Sequence, residues 1–274
     1  MRASFASMMG ANPLDDTLHA FETSWLLPPL ALFSVRAFFS LFIFTSIFTT
    51  LGWNGVQGEG YENHRYFGYF TNLSFWGLGF YFFFAALHTF LYYRRGRSVL
   101  FVKWPRGLRA LHSLYYSSIV TFPFIVTIIF WGLVFYGPWF ESAFETWKNV
   151  TTHILPSVFA LFEVVFPATA PPPFLHVPFL IIILGLYLCV AYITRSSQGV
   201  YVYGFLNPAL NDKGKGVVAG YCFAVLGACI IMFCISWGLI WLRRRLTTVK
   251  RKQDGSQGFW PSRVDAEMGM AGQK

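Results

Sequence analysis

The stretch PPLALFSVRAFFSLFIFTSIFTTLG, residues 28–52, carries a single charge, Arg36. A helix needs roughly 20 mostly apolar residues to cross a ~30 Å hydrocarbon core, so this stretch predicts a membrane-crossing helix. The rest of the chain has the same character. Its 274 residues are 55% hydrophobic, 20% aromatic and only 12% charged, with mean hydropathy +0.49. Soluble domains carry about 25% charged residues, so half that value names lipid as the solvent. Five further apolar runs lie at about 67–92, 114–137, 150–169, 174–194 and 217–242. Together they predict an all-α integral membrane protein with six transmembrane helices. The fourth and fifth runs are separated by the proline turn ATAPPP, residues 168–173, which suits a helical hairpin.

The net charge of +9 is not spread along the chain. One block holds Arg94, Arg95, Arg97, Lys103, Arg106 and Arg109; the other holds Arg243, Arg244, Arg245, Lys250, Arg251 and Lys252. Both flank apolar runs, which argues against nucleic acid as a partner and for contact with anionic membrane lipids. Cytoplasmic loops are enriched in Lys and Arg, so both blocks, and with six spans both termini, are expected in the cytoplasm. The loops at 53–66 and 138–149, with Glu59, Glu62, Glu141 and Glu145, fall on the outer or lumenal face. This gives a polar segment at 1–27, a transmembrane domain at 28–242 and a basic, disordered cytoplasmic tail at 243–274. The expected location is the endoplasmic reticulum or plasma membrane. The first apolar run is too long for a cleavable h-region and reads as a retained anchor. Cys189, Cys222, Cys229 and Cys234 lie within apolar runs without metal-ligand or disulfide spacing, and no metal or organic cofactor is called for. NVT at 149–151 fits a glycosylation acceptor but abuts the membrane, so no glycan is expected.

Ionisable residues inside spans are costly, which makes each a functional candidate. Arg36, His88 and Glu163 fall at a common depth near the cytoplasmic ends of spans one, two and four. Arg36 and Glu163 could form a buried ion pair that locks helices together, or take part in chemistry. At the opposite leaflet, His153 enters span four about one turn deep. Span two opens at the same face with RYFGYFTNLSFW, residues 65–76, which sets Thr71 on the order of 7 Å in at 1.5 Å per residue. A hydroxyl and an imidazole at matched depth are the minimum of a nucleophile–base pair. Asn149, Asn72 and Ser74 stand near enough in sequence to orient the base or donate to an oxyanion. Spacing alone leaves a second reading open: a threonine bonded back to the carbonyl one turn earlier, beside a structural imidazole. A non-catalytic transporter, scaffold or lipid-binding regulator is the corresponding alternative for the whole chain.

Three stretches carry a resemblance to a known family: YFTNLSF at 69–75, NVTTHILPSVFALFE at 149–163 and GVYVYGFLN at 199–207. In order and spacing they resemble the androgen-induced gene 1 family, six-span membrane hydrolases of fatty acid esters of hydroxy fatty acids. The resemblance covers about residues 28–242. It implies a threonine-dependent carboxylic ester hydrolase with Thr71 as nucleophile and His153 as general base. A lipid ester substrate would arrive from the bilayer, and Tyr201, Tyr203, Phe205 and Asn207 would line the outer mouth. Val150 departs from the family, whose animal members often carry histidine there, and both termini here are longer.

Overall fold

The computed structural model describes residues 4–11, 19–209 and 214–253, with side chains described through Thr247. Its helices are α1 Phe5–Met8, α2 Pro29–Val56, α3 Gly60–Arg65, α4 Phe70–Arg95, α5 Val99–Lys103 and α6 Arg106–Ile119. They continue as α7 Phe122–Ile129, α8 Ala143–His153, α9 Leu155–Val165, α10 His176–Gln198 and α11 Lys215–Gln253. Among the described residues there is no strand, only one isolated bridge between Ser24 and Pro167. Five helical stretches are long and apolar enough to cross a membrane: Pro29–Val56, Phe70–Arg95, Arg106–Val134, His176–Gln198 and Lys215–Thr247. The chain is a multi-pass helical membrane protein.

The expected fourth run, 150–169, differs from the rest. It is divided between the end of α8 and α9, each 11 residues long. The cause is local. Pro156 has no N–H for the Thr152 carbonyl, and its ring cannot follow an unbroken helix. The chain therefore leaves α8 after His153 and restarts at Leu155, with Pro156 in the tolerated first turn of α9. The third run bends for a related reason: α6 ends at Ile119, and α7 restarts with Pro123 in its first turn.

The most extensive helix pair is α2 with α4. They pack closely at Gly79, where a Cβ would meet Ile43 at 2.9 Å and whose carbonyl accepts from the Ser40 hydroxyl at 3.1 Å. Around this contact Ile43, Leu78, Tyr81, Phe82, Tyr116 and Phe159 form the main core. With lipid as apolar as leucine, such close packing and internal polar bonds hold helices together more than hydrophobic burial does.

The buried charges supply the strongest of those bonds. Arg36 and Glu163, both with no solvent exposure, form a two-pronged pair with both N···O distances at 2.8 Å. The remaining polar capacity is used. Arg36 also donates to the Phe21 carbonyl and the Thr89 hydroxyl at 2.7 Å each, and the Tyr81 hydroxyl donates to Glu163 at 3.0 Å. His88 stands apart from this pair. Its Nδ1 contacts the Ser98 hydroxyl at 2.7 Å and its ring stacks on Phe101.

The segment before α2 runs into the bundle. The Trp25 indole donates to the Val165 carbonyl at 2.7 Å and the Ser24 hydroxyl to the Phe166 carbonyl at 2.6 Å. At the other end, α11 continues through the basic cluster at Arg243–Arg245 to Gln253. Arg243 is buried and donates to the Val164 carbonyl at 2.7 Å and to the Thr169 carbonyl. The tail expected to be disordered lies, past Gln253, outside the described residues.

Candidate active site

His153 is the last residue of α8, at the break that Pro156 enforces. Its freed carbonyl is not left bare: the Thr127 hydroxyl of α7 donates to it at 2.6 Å. Ser157 lies 2.7 Å from the Thr127 hydroxyl and donates to the Pro123 carbonyl at 3.0 Å. Hydroxyls on α7 and α9 thus tie the two interrupted helices together and fix the histidine's main chain. The ring is held by Phe130, stacked at 3.5 Å between centroids and 10° between planes.

Two neighbours determine which ring nitrogen carries the proton. Nδ1 lies 3.1 Å from the Asn149 carbonyl, which can only accept. It also lies 3.1 Å from the Thr152 hydroxyl, whose own proton goes to the Lys148 carbonyl at 2.8 Å. Nδ1 must therefore donate, which leaves Nε2 with a free lone pair. That is the tautomer a general base requires.

Thr71 is the second residue of α4, reached through a 3-10 turn at Tyr66–Gly68. Gly68 fits a tight space there: a Cβ would meet the Thr194 and Val202 side chains at 3.0 Å, so they would have to give way. The Gly68 carbonyl accepts from the Tyr187 hydroxyl at 2.9 Å, and the Tyr66 carbonyl accepts from the Asn72 amide at 2.8 Å. Opposite Thr71 stands Tyr203, from the loop after α10. Burial pushes its phenol above the ordinary value, while the neighbouring Thr71 and Tyr187 side chains and the main chain of Phe70 and Thr71 oppose the rise. Tyr203 is thus a neutral phenol set beside the Thr71 hydroxyl.

Thr71 and His153 line one cavity of about 200 Å³, joined by this shared space rather than by a direct hydrogen bond. Asn72, Asn149, Tyr203, Lys148 and Glu62 also face it, which gives it a polar wall. A second cavity of about 150 Å³ adjoins it and is almost wholly apolar. Thr71, Phe130, Val134 and Tyr203 belong to both, so the threonine sits in the partition between a polar and an apolar chamber.

The other sequence candidates are distributed differently. Ser74 donates to the Thr71 carbonyl at 3.0 Å and faces a separate groove beside Tyr115. Phe205 lines the apolar chamber and stacks on Tyr203. Tyr201 lies under the Arg195 guanidinium, 4.9 Å from ring centroid to charge. The Asn207 side chain accepts from the Ala209 N–H at 3.0 Å within its turn. Neither Tyr201 nor Asn207 reaches the two chambers. Sequence reasoning missed Phe130, Thr127, Thr152 and Tyr187. Only Thr152, adjacent to the histidine, left a signal there. Among the described residues, no group of three or more His, Cys, Asp or Glu side chains is placed to hold a metal ion.

The family model for FAR-17a/AIG1-like proteins matches residues 57–237, which include Thr71, His153 and Tyr203. No curated protein and no solved structure matches the chain.

Proposed function

The chain belongs to the FAR-17a/AIG1-like family, the family its motifs resemble, and on that premise we propose that it is an integral-membrane lipid esterase. Its substrates are fatty acid esters of hydroxy fatty acids or closely similar lipid esters. The observation that carries this reading is the polar chamber shared by Thr71 and His153, whose neighbours commit the Nδ1 proton and leave Nε2 unprotonated.

In the first step Thr71 Oγ attacks the ester carbonyl carbon and its proton passes to His153 Nε2. Tyr203 donates to the oxygen that gains negative charge. The bond from carbon to the alkoxy oxygen breaks, and the imidazolium returns the proton to that oxygen, releasing the alcohol. Water, deprotonated by the same imidazole, then attacks the acyl-threonine and frees the fatty acid and the Thr71 hydroxyl. No cofactor takes part. Lys148, facing the chamber although paired with Glu145 at 3.1 Å, supplies a cation suited to the carboxylate of a hydroxy fatty acid leaving group.

In this reading α8 and α9 together make a sixth crossing, interrupted at the base. Both termini are then cytoplasmic and the site opens near the outer or lumenal leaflet, in the endoplasmic reticulum or plasma membrane. Water reaches the histidine from that face while the substrate arrives laterally from lipid.

The decisive measurement is hydrolysis of such esters by purified protein. Thr71→Ala and His153→Ala should each lower kcat/KM by ~10³-fold or more, and wild type alone should be labelled at Thr71 by a fluorophosphonate. Near-normal turnover in both variants would reject the mechanism. Binding without turnover in wild type would make the chain a lipid-binding regulator instead.

A further inference from the structure

The apolar chamber has no role in the proton transfers, yet it shares Thr71 with the polar one. We infer that this chamber is the acyl subsite, that it holds a straight hydrocarbon chain, and that Gly185 gauges the chain's length. The inference rests on the esterase reading and adds to it the orientation of the substrate and the residue that selects it.

Orientation follows from where the proton must go. The leaving oxygen receives its proton from His153, so the alcohol half must lie on the histidine's side, in the polar chamber. At the tetrahedral carbon the remaining substituent, the acyl chain, then points away from the imidazole. The space beyond Thr71 in that direction is walled by Ile125 and Ile129 of α7, Leu184 of α10 and Val225 and Leu226 of α11. These are hydrocarbon side chains from three helices, with no charged group among those that face the chamber. Such a wall accepts methylenes and rejects a charged end, because an unpaired polar group there would be left without partners.

Gly185 belongs to the same wall, and a Cβ added to it would meet nothing within 4 Å. Gly185 is exposed, at the chamber's open edge, and its backbone is ordinary helix within α10, so a larger residue at 185 takes up space at that edge without strain. A side chain that takes the place of several methylenes clashes with the end of a long chain, and overpacking of that kind costs on the order of tenfold to a hundredfold. Short chains, which never reach it, are spared. Cys222, also on the wall, is a free thiol and reports occupancy directly.

The experiment uses the full chain in detergent micelles, as wild type, Gly185→Leu and Gly238→Leu, the last at an open glycine of α11 that faces neither chamber. Esters of one alcohol with straight C4 to C18 acids are compared by kcat/KM. In parallel, alkylation of Cys222 by N-ethylmaleimide is followed by peptide mass spectrometry with and without each free fatty acid. Expected is a fall of about tenfold or more for C16 and C18 esters in Gly185→Leu, with C4 to C8 esters within about twofold and the control unchanged. Long acids should protect Cys222 in wild type and lose that effect in Gly185→Leu. A chain-length profile unchanged in Gly185→Leu, or lowered equally at all lengths, together with unprotected Cys222, would overturn the subsite. Length-dependent protection of Cys222 without turnover of any ester would uphold the subsite while overturning the esterase reading on which the orientation rests.

Discussion

At the scale of single residues, the histidine's chemistry is decided by hydrogen bonds it does not choose. Thr152 spends its proton on the Lys148 carbonyl and can only accept from the ring, and the Asn149 carbonyl can do nothing else. Replacing Thr152 by valine removes one of the two acceptors while keeping the side chain's shape. A neutral hydrogen bond contributes about 1 kcal/mol, so kcat should fall about fivefold with KM little changed, read from steady-state hydrolysis at constant pH. A larger rise in KM than fall in kcat would show that Thr152 binds substrate rather than orienting the base. That Thr71 and His153 share one cavity was legible in the sequence because depth along a helix can be counted. Thr152 was not, because in the run TTH two identical hydroxyls precede the ring and counting does not say which one reaches it. Phe130 and Tyr187 were invisible for a stronger reason: they come from other segments, and their contacts exist only after packing.

At the scale of elements, the site is built where two helices fail to be continuous. Hydropathy sees 150–169 as one run because it averages over the interruption, although Pro156 stands in plain view. The consequence of that proline needed the structure: a carbonyl at His153 freed from the helix and taken up by Thr127 of α7. Pro156→Ala restores an N–H for the Thr152 carbonyl and removes the steric reason for the break. Helix α8 should then run on into α9 and turn the imidazole away from its stack on Phe130. Displacements of about 1 Å at a catalytic group can cost about 10²-fold, so turnover should drop ~10- to 100-fold while circular dichroism keeps or gains helical signal. Full activity in a well-folded Pro156→Ala protein would show that the break does not position the base.

At the scale of the whole molecule, the chain keeps its structural ion pair and its candidate chemistry in separate places. Arg36 joins α2 to α9 through Glu163, to α4 through Thr89 and to the leading segment through the Phe21 carbonyl. None of these residues faces the chamber of Thr71 and His153. Removing one partner strands the other charge, so Glu163→Ala should destabilise the protein by about 3–5 kcal/mol. The check is thermal unfolding in detergent, with the Arg36→Met, Glu163→Leu double variant recovering much of the loss. A silent Glu163→Ala variant would mean that water or lipid headgroups reach the arginine.

The sequence by itself determined the solvent, the helical class, the family and the members of the buried ion pair, and it named Thr71 and His153 as the candidate hydroxyl and imidazole. These follow from composition, from the length a bilayer demands, and from motifs that are contiguous in the chain. Only the tertiary structure decided that Thr71 stands in the partition of two unlike chambers, that Tyr203 rather than Ser74 faces it, and that His88 stands apart from the ion pair. Each of these depends on which faces of separate helices meet. Helical periodicity fixes the face a residue occupies on its own element, but not the element it will face across the bundle.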